Sequence, residues 1–300
     1  MTKHFLSLEE HSVEGLTAIL DRAAELKAIR GDESFQPLKG QTWGLIFSKS
    51  STRTRVSFEV GIRELGGRAM FLSSREMQLG RGEPIKDTAR VLGRMIHGAV
   101  IRTFSHQEIV DFAEYSDIPT INALTDHAHP CQIMADLLTM REKLGSIEDR
   151  VVTFIGDGAC NVATSWVYAA IKFGFQLRIA SPEGFQPKPS LIDQAGDNVS
   201  VTTDVAAAAT GADVLYTDVW VSMGMEEEAE ERLRQFQGFQ INSEIVSKAK
   251  ESVLVLHCLP AYRGKEITED VLEAHQQTIF DQAENRLHAQ KGVICCLLGV

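Results

Sequence analysis

The chain has 300 residues, of which 44% are hydrophobic and 24% charged, so its length suits two globular domains of ordinary size. The formal net charge of −11 argues against nucleic acid as the main partner, because binding a phosphate backbone needs a broad basic surface. No apolar run approaches the roughly 18 residues of a membrane span, and residues 1–20 resemble neither a secretory signal nor a basic transit peptide. Five cysteines without a regular framework fit a reducing compartment, so we expect a cytoplasmic protein.

The first half of the sequence alternates helical and strand patterns. Apolar spacing predicts a helix over 16–29, and the β-prone run T-W-G-L-I-F predicts a strand over 42–47, followed by a helix that begins near Ser51. Further elements are a strand at 69–72, a helix at 88–95, and strands at 98–102 and 120–123. This alternation is typical of a parallel α/β sheet whose site lies at the carboxyl ends of the strands.

The second half of the sequence restarts the pattern after the polar stretch 145–150, which marks a junction. A helix is predicted over 162–173, and the acidic stretch 226–231 is interpreted as a solvated helix face. Strands are predicted at 151–155, 176–180, 199–202, 214–217 and 252–257. The sequence therefore predicts an α/β protein with two doubly wound parallel-sheet domains joined by helices.

The segment F-S-K-S-S-T-R-T-R-V-S-F, residues 47–58, places arginines and hydroxyls where a strand passes into a helix. Backbone N–H groups and the positive end of the helix dipole favour an anion there. An ordinary helix cap would need only one serine and a Glu or Gln three residues later. Two arginines in the first turn oppose the dipole preference and therefore indicate an oxyanion site. Arg55 is the structural member, since Glu59 and Arg63 follow it at four-residue intervals.

Three other segments follow predicted strands and contain reactive groups. H-P-C-Q at 129–132 offers an imidazole and an amide in a turn stiffened by proline, although a lone loop histidine is often structural. D-V-W-V-S-M-G at 218–224 contains a carboxylate and a hydroxyl, and H-C-L-P-A at 257–261 contains a thiol. Cys258 is equally compatible with a small buried hydrophobic residue.

Other kinds of site are disfavoured by spacing. G-D-G-A-C-N at 156–161 lacks the third glycine of a dinucleotide loop, which argues against NAD. No third group is spaced for a Cys–His–Asp assignment around Cys258. Zinc bound by His127, His129 and Cys131 is conceivable, but alternating residues in a proline loop match no common ligand pattern.

In order and spacing, S-T-R-T-R, H-P-C-Q, D-V-W-V-S-M-G and H-C-L-P-A resemble the motifs of ornithine carbamoyltransferases, in the aspartate/ornithine carbamoyltransferase family. The resemblance extends to the segments 78–93 and 280–288 and covers the chain nearly end to end. It implies a carbamoyl phosphate domain, 1–135 with 287–300, and an ornithine domain, 136–286. It also implies a homotrimer, with assembly beyond the trimer left open, and neither a cofactor nor a metal.

The resemblance implies roles for individual residues of this sequence. Contacts with carbamoyl phosphate fall on Ser51, Thr52, Arg53, Thr54, Gln78, Arg102, His129, Gln132, Cys258, Leu259 and Arg286. Contacts with ornithine fall on Asn161, Asp218, Ser222 and Met223. Within these sets Arg102, His129, Cys258 and Arg286 are catalytic, Cys258 and Leu259 face the δ-amine, and Gln78 comes from a neighbouring subunit. Cys160 stands where family members commonly have a first asparagine, so part of the carboxylate contact differs.

The implied reaction transfers the carbamoyl group of carbamoyl phosphate to the δ-amine of L-ornithine and gives L-citrulline and phosphate, a step of arginine biosynthesis. One alternative is a carbamoyltransferase for another amine, such as putrescine or an acylated ornithine. The other is a non-catalytic protein that binds a phosphorylated metabolite, which would keep Arg53 but have no need of His129, Gln132 and Cys258 together. Neither a nucleic acid nor a membrane is expected as a partner.

Overall fold

A computed structural model of the protein describes residues 3–73, 82–221 and 229–300. Backbone contacts divide the chain into unit 1, Met1–Leu138 with Glu284–Val300, and unit 2, Thr139–Ala283. The limits expected from sequence, 135/136 and 286/287, each differ from these by less than one helical turn, and Arg286 lies in unit 1. None of the helices within the three described ranges combines the length and apolar character that a membrane span requires.

Unit 1 is built on a four-stranded parallel sheet in the order β2-β1-β3-β4. Its strands are β1 Thr42–Phe47, β2 Arg68–Ser73, β3 Gly98–Arg102 and β4 Thr120–Leu124. Its helices are α1 Val13–Ala28, α2 Thr52–Glu64, α3 Ile85–Leu92 and α4 His106–Ser116. All five residues of β3 are buried, as expected for an inner strand of a parallel sheet, and this continuous apolar run explains why the sequence showed it clearly.

The order of the strands in unit 1 creates a switch point between β1 and β3. The chain passes from β1 to β2 on one side and then returns to β3 and β4 on the other. Phe47 pairs with Arg102, which pairs with Leu124, so the carboxyl ends of β1, β3 and β4 lie in one row. Ligands of open α/β sheets bind in the crevice at such a switch point.

Unit 2 contains a five-stranded parallel sheet in the order β7-β6-β5-β8-β9. Its strands are β5 Val151–Ile155, β6 Gln176–Ala180, β7 Val199–Thr202, β8 Val214–Thr217 and β9 Leu254–His257. Its helices are α6 Asn161–Phe173, α7 Pro189–Ala195, α8 Val205–Ala209, α9 Ala229–Gln235, α10 Ser243–Lys248 and α11 Glu269–Ala274. Two further helices contain the boundaries between the units, α5 Pro130–Leu144 and α12 Gln276–Leu298.

Unit 2 repeats the arrangement of unit 1, with its switch point between β5 and β8. The chain passes from β5 outward to β7 and then returns to β8 and β9 on the other side of β5. Ile155 pairs with Thr217, which pairs with His257, so the loops that begin at Gly156, Asp218 and Cys258 leave neighbouring strand ends.

Several predicted bounds were wrong by a few residues. The helix predicted over 88–95 is α3, Ile85–Leu92, which begins after Pro84 and ends because Gly93 is its C-cap. The strand predicted from 252 begins at Leu254. H-P-C-Q is not a turn throughout, since Pro130 is the first residue of α5, a position where its missing N–H is not needed by the helix.

Candidate active site

The loop between β1 and α2 places a serine cap at the start of a helix that has no acidic residue in its first turn. Ser51 Oγ accepts a hydrogen bond from the backbone N–H of Thr54 at 3.4 Å and donates one to Thr54 Oγ1 at 2.9 Å. Thr54 is fully buried, whereas Thr52 and Arg53 are exposed. The positive end of the helix dipole is therefore not compensated by an acidic side chain, and the guanidinium of Arg53 is exposed beside it. Both features favour the binding of an anion.

The final helix contributes a second arginine to this end of the sheet of unit 1. Arg286, in α12, is 4% exposed, and its Nη2 donates to Thr54 Oγ1 at 2.6 Å. Arg102, the last residue of β3, is 7% exposed. Two buried guanidinium groups at the same end of the sheet as the N-terminus of α2 create a local positive site within an acidic protein.

His129 lies close enough to both arginines to be affected by their charge. Burial lowers the pKa of His129 well below its usual value, and the positive charges of Arg286 and Arg102 lower it further. The imidazole is therefore neutral at neutral pH, so it acts as a hydrogen-bond donor or acceptor and not as a cation. Its position just before α5, next to the end of β4, brings it to the same edge of the sheet as Arg102.

Gln132, in the first turn of α5, has its side-chain orientation set by a carboxylate. Its Nε2 donates to Asp136 Oδ1 at 2.8 Å, and the residue is 1% exposed. The amide oxygen is buried and accepts no hydrogen bond from the described part of the chain. An acceptor held in this way suits an N–H donor such as a carbamoyl amino group.

The arrangement around H-P-C-Q opposes the zinc alternative. The arginine charges beside His129 disfavour a divalent cation. Burial raises the pKa of Cys131 to about 12, and its thiol donates to the Asn122 carbonyl at 3.4 Å, whereas a zinc ligand must be a thiolate. His127 packs on His106 instead, with ring centroids 4.8 Å apart.

At the switch point of unit 2, a carboxylate and a thiol meet. Asp218 follows β8, and its Oδ1 accepts hydrogen bonds from Cys258 Sγ at 2.9 Å and from the N–H of Val219 at 2.7 Å. Desolvation is the main cause that raises the pKa of Asp218, and the hydrogen bond from Cys258 opposes the rise. Both side chains remain partly exposed, so a substrate can reach them.

A buried histidine and glutamate support the loop that contains Cys258. His257 Nδ1 accepts the backbone N–H of Leu259 at 2.9 Å, so Nε2 holds the proton and donates to Glu266 Oε1 at 3.2 Å. Glu266 Oε1 also accepts the N–H of Tyr262 at 2.6 Å. Leu259 has a left-handed backbone, with φ of 58°, and is followed by a cis bond to Pro260. Sequence reasoning missed His257 and Glu266 as members of this site, although His257 opens the quoted H-C-L-P-A segment.

The loop between β5 and α6 places Cys160 and Asn161 at the start of α6. Cys160 is the N-cap, and its Sγ accepts the N–H of Ala163 at 3.4 Å. Burial raises the pKa of Cys160 well above its usual value, and the carboxylates of Asp157 and Asp218 add to the rise, so Cys160 remains a thiol. Gly158 has a packing role, because a Cβ there would lie 2.8 Å from the Ile179 side chain. This accounts for the glycine without a dinucleotide.

Most of the residues expected at the site fall into three groups. Unit 1 brings together Ser51, Thr54, Arg102 and Arg286, with His129 within range of their charge. Unit 2 brings together Asp218 and Cys258, with Cys160 beside them. Gln78, Ser222 and Met223 lie outside the described residues.

Comparison with known proteins finds a matching family model for each half of the chain. Residues 3–142 match the family model "Aspartate/ornithine carbamoyltransferase, carbamoyl-P binding domain", and residues 148–297 match "Aspartate/ornithine carbamoyltransferase, Asp/Orn binding domain". The ornithine carbamoyltransferase of Akkermansia muciniphila is 55% identical over 297 residues, which cover 98% of this chain and 97% of that protein. The anabolic enzyme of Pseudomonas aeruginosa is 48% identical over 297 residues, which cover 99% and 97%.

Solved structures agree as well. The crystal structure of the anabolic ornithine carbamoyltransferase of Campylobacter jejuni superposes with a TM-score of 0.94 at 41% identity and covers 99% of both chains. The ornithine carbamoyltransferase of Pyrococcus furiosus superposes with a TM-score of 0.93 at 43% identity and covers 99% of this chain and 97% of that one. With both family models matched along nearly its whole length, the chain belongs to the aspartate/ornithine carbamoyltransferase family.

Proposed function

We propose that this chain transfers the carbamoyl group of carbamoyl phosphate to the δ-amine of L-ornithine, giving L-citrulline and phosphate. The observation that carries the choice of acceptor is the hydrogen bond between Cys258 and the carboxylate of Asp218 in unit 2. Glu266 is buried nearby, so the part of the site that lies in unit 2 is acidic. An acidic site favours ornithine, whose side chain ends in an amine, over aspartate, whose side chain ends in a carboxylate.

On the donor side, the groups of unit 1 match the charge that develops during transfer. Attack of an amine on the carbonyl carbon forms a tetrahedral oxyanion, and phosphate then leaves with the electron pair of the broken C–O bond. Arg53 and the α2 N-terminus suit the phosphate, while Arg102 and Arg286 supply fixed positive charge for the oxyanion. Preorganised donors of this kind are often the largest catalytic contribution.

Among the groups proposed to bind carbamoyl phosphate, His129 is a neutral hydrogen-bond donor. Because burial and the charges of the two arginines hold its pKa well below the usual value, His129 is neutral at neutral pH. A neutral imidazole N–H can bind the carbonyl oxygen throughout the reaction without exchanging its proton. Gln132 Oε1 can accept a hydrogen bond from the carbamoyl amino group, which is supported by the bond from its amide nitrogen to Asp136.

On the acceptor side, the amine must lose a proton before it attacks. An alkyl ammonium has a pKa of about 10.4, so most ornithine in solution is protonated at its side chain. Asp218 attracts the ammonium form, and Cys258 is held against the same carboxylate oxygen. The ammonium passes one proton to the Asp218 carboxylate or to solvent, and the neutral amine then attacks as the nucleophile. The departing phosphate can take the second proton, which the nitrogen loses after the C–N bond has formed.

A citrulline assay with carbamoyl phosphate and L-ornithine tests the proposal. Parallel measurements of phosphate release with putrescine and N-acetylornithine compare the acceptors, and a reaction without protein corrects for spontaneous hydrolysis. We expect the largest kcat/KM for ornithine. A larger kcat/KM for putrescine would replace the acceptor but keep the reaction, and binding of carbamoyl phosphate without turnover of any amine would favour the non-catalytic alternative.

We also propose that the protein works as a homotrimer in a reducing compartment such as the cytoplasm. All five cysteines are thiols, which supports the compartment. Relatives from P. aeruginosa and C. jejuni are named anabolic, which supports a place in arginine biosynthesis. Gln78 of a neighbouring subunit then belongs to each site.

Mixing two impaired variants tests the shared site. Gln78→Arg should block the site by bulk and charge, and Cys258→Ala should weaken the use of ornithine. After the two chains are unfolded together and refolded, some sites in a mixed trimer combine an intact Gln78 with an intact Cys258, so activity should rise above that of either parent. Hybrid trimers, confirmed by mass, that stay at the parental activity would show that Gln78 serves its own subunit or none.

A further inference from the structure

Arg232, in α9 of unit 2, is a buried arginine that belongs to none of the residue sets considered above. It is 5% exposed, and its guanidinium lies 4.8 Å from the ring centroid of Phe185 and 5.2 Å from that of Phe236. The two rings also contact each other, with centroids 4.7 Å apart. The aromatic contacts hold the plane of the guanidinium in one orientation.

The polar atoms of Arg232 bind two different loops. Its Nη2 donates to Asp157 Oδ2, in the loop between β5 and α6. Its Nε donates to the backbone carbonyl of Trp220 at 2.6 Å, two residues beyond Asp218. Each loop is also ordered internally, since Asp157 Oδ1 accepts the N–H of Ala159 at 3.0 Å and Trp220 Nε1 donates to the Phe239 carbonyl at 3.2 Å.

These two loops leave the adjacent strands β5 and β8, on either side of the switch point of unit 2. Asn161 lies four residues after Asp157, and Asp218 lies two residues before Trp220. Both are proposed contacts of the amino-acid substrate. Arg232 therefore connects the two segments whose spacing decides whether one small molecule can touch both.

A buried ion pair is weak support for stability, because desolvation of the two charges offsets most of their attraction. The pair of Arg232 and Asp157 is 6% and 8% exposed at the side chains, so this cost applies to both partners. The guanidinium of Arg232 instead holds the two loops in one relative position, because its N–H donors have fixed directions. Lysine would keep the charge but lose the planar fork and the stacking.

We infer that Arg232 is a positioning residue for ornithine, acting through Asp157 and the Trp220 carbonyl on the spacing of Asn161 and Asp218. The inference rests on the proposed function, since it assumes that ornithine binds in unit 2. It assigns Arg232 no contact with either substrate. Loss of Arg232 should therefore affect the affinity for ornithine much more than the affinity for carbamoyl phosphate.

The test compares Arg232→Gln, Arg232→Lys, Asp157→Asn and the double variant Arg232→Gln/Asp157→Asn. The matched control is Arg150→Gln, because Arg150 is a partly buried arginine of unit 2 that, like Arg232, donates to a carboxylate, Asp213, and to a backbone carbonyl, that of Leu144. Arg150 lies before β5, at the opposite edge of the sheet. The measurements are kcat and KM for ornithine, direct binding of carbamoyl phosphate, and the thermal midpoint.

We expect the KM for ornithine to rise about tenfold or more in Arg232→Gln, as for loss of a hydrogen bond to a charged group, with carbamoyl phosphate binding within about twofold of the parent. Arg232→Lys should fall between Arg232→Gln and the parent. The double variant should be no worse than the poorer single variant, since both changes break the same connection. Arg150→Gln should leave the KM unchanged even if it lowers the thermal midpoint.

A KM for ornithine within twofold of the parent in folded Arg232→Gln would overturn the inference and leave the proposed function intact. The inference would also be overturned if Arg232→Gln weakened carbamoyl phosphate binding as much as it raised the KM for ornithine, or if Arg150→Gln raised that KM equally. Either result would indicate a general loss of structure and not a specific effect on ornithine. If Arg232→Gln does not fold, Arg232→Lys and Asp157→Asn decide by the same criteria. If the parent protein forms no citrulline from ornithine, both the proposed function and this inference are overturned.

Discussion

The two units use the same kind of sheet and the same place on it, but with opposite charge. At the switch point of unit 1 lie buried Arg102 and Arg286 with neutral His129. At the switch point of unit 2 lie Asp218, with its thiol partner, and buried Glu266. The backbone provides converging loop ends in both cases, and the side chains at those ends decide whether an anion or an amine is favoured.

Burial also has different consequences in the two units. It disfavours the charged form of a group, so it lowers the pKa of His129 and raises the pKa of Asp218. The arginines of unit 1 cannot lose their protons in the accessible pH range, so their charge is fixed. The two arginines of unit 1 therefore supply a fixed positive charge, whereas unit 2 contributes a carboxylate, that of Asp218, whose pKa lies above its usual value.

The largest expected effect tests the positive half-site. Arg53→Ala should lower kcat/KM for carbamoyl phosphate about a hundredfold or more, near 3 kcal/mol, because it removes a charged donor from the phosphate site. The thermal midpoint should change little, since Arg53 is exposed. Steady-state kinetics and thermal unfolding measure the two quantities.

Arg55→Ala is the matched control for Arg53→Ala. Arg55 lies in the same helical turn, but it pairs with Glu59 at 3.3 Å and lies over the Phe71 ring at 3.9 Å. We expect kcat/KM to stay near that of the parent. If the two variants lose activity equally, the helix start is a structural feature and the contrast between the units disappears.

The next effect tests the acidic half-site. Cys258→Ala should lower kcat/KM for ornithine by about tenfold, the scale of one hydrogen bond to a charged group. Direct binding of carbamoyl phosphate should persist, because most of its proposed contacts, including those with Arg102, Arg286 and Thr54, are in unit 1. Cys296→Ala, a partly exposed cysteine of unit 1, serves as the control. Loss of carbamoyl phosphate binding in a folded Cys258→Ala protein would place the thiol with the wrong substrate.

A smaller effect concerns pH. Cys258 lowers the pKa of Asp218 by donating to its carboxylate, so Cys258→Ala should raise that pKa further. Protonation of Asp218 then begins at a higher pH as the solution is acidified, and the acid limb of kcat/KM for ornithine should move to higher pH. Profiles from pH 5 to 9 of the parent, Cys258→Ala and Cys296→Ala measure this shift. Coincident acid limbs would mean that Asp218 does not control the profile.

The smallest effect concerns the stability of unit 1. Burial lowers the pKa of His106 to about 4, and the charge of His127 contributes to the shift. Between pH 6.5 and 4 the unfolded chain binds more protons than the folded one, so the free energy of unfolding falls as the pH falls. His106→Gln should show a shallower fall in this window, with the amide able to replace the bond to Thr125 Oγ1 at 2.9 Å.

Denaturant unfolding of the parent and His106→Gln at several pH values tests this expectation. Measurements near pH 8 give the reference, because His106 is neutral there in both states. Curves that stay parallel from pH 8 to 4 would show that His106 titrates alike in the folded and unfolded chains.

The sequence by itself determined most of the strands and the chemistry at their ends. The bounds predicted for six strands agree with the structure, namely β1, β3, β5, β6, β7 and β8. All of them except β7 are inner strands, and the apolar residues of such strands are revealed by local composition. Since ligands bind beyond the carboxyl ends of such strands, S-T-R-T-R and the loop at Asp218 were recognisable as candidate site segments. Helix bounds were less certain, as α3 and the start of α5 show, since caps and prolines shift them by a few residues.

Only the tertiary structure decided which side chains meet. Arg286 donates to Thr54 from 232 residues away, His257 donates to Glu266, and Arg232 joins Asp157 to Trp220. Periodicity reports which face of an element is apolar, but it contains no information on strand order or on the partner that a polar side chain reaches across the fold. Those contacts arise when the strands come together in the orders β2-β1-β3-β4 and β7-β6-β5-β8-β9, and buried polar groups must then find partners among whatever that order brings near.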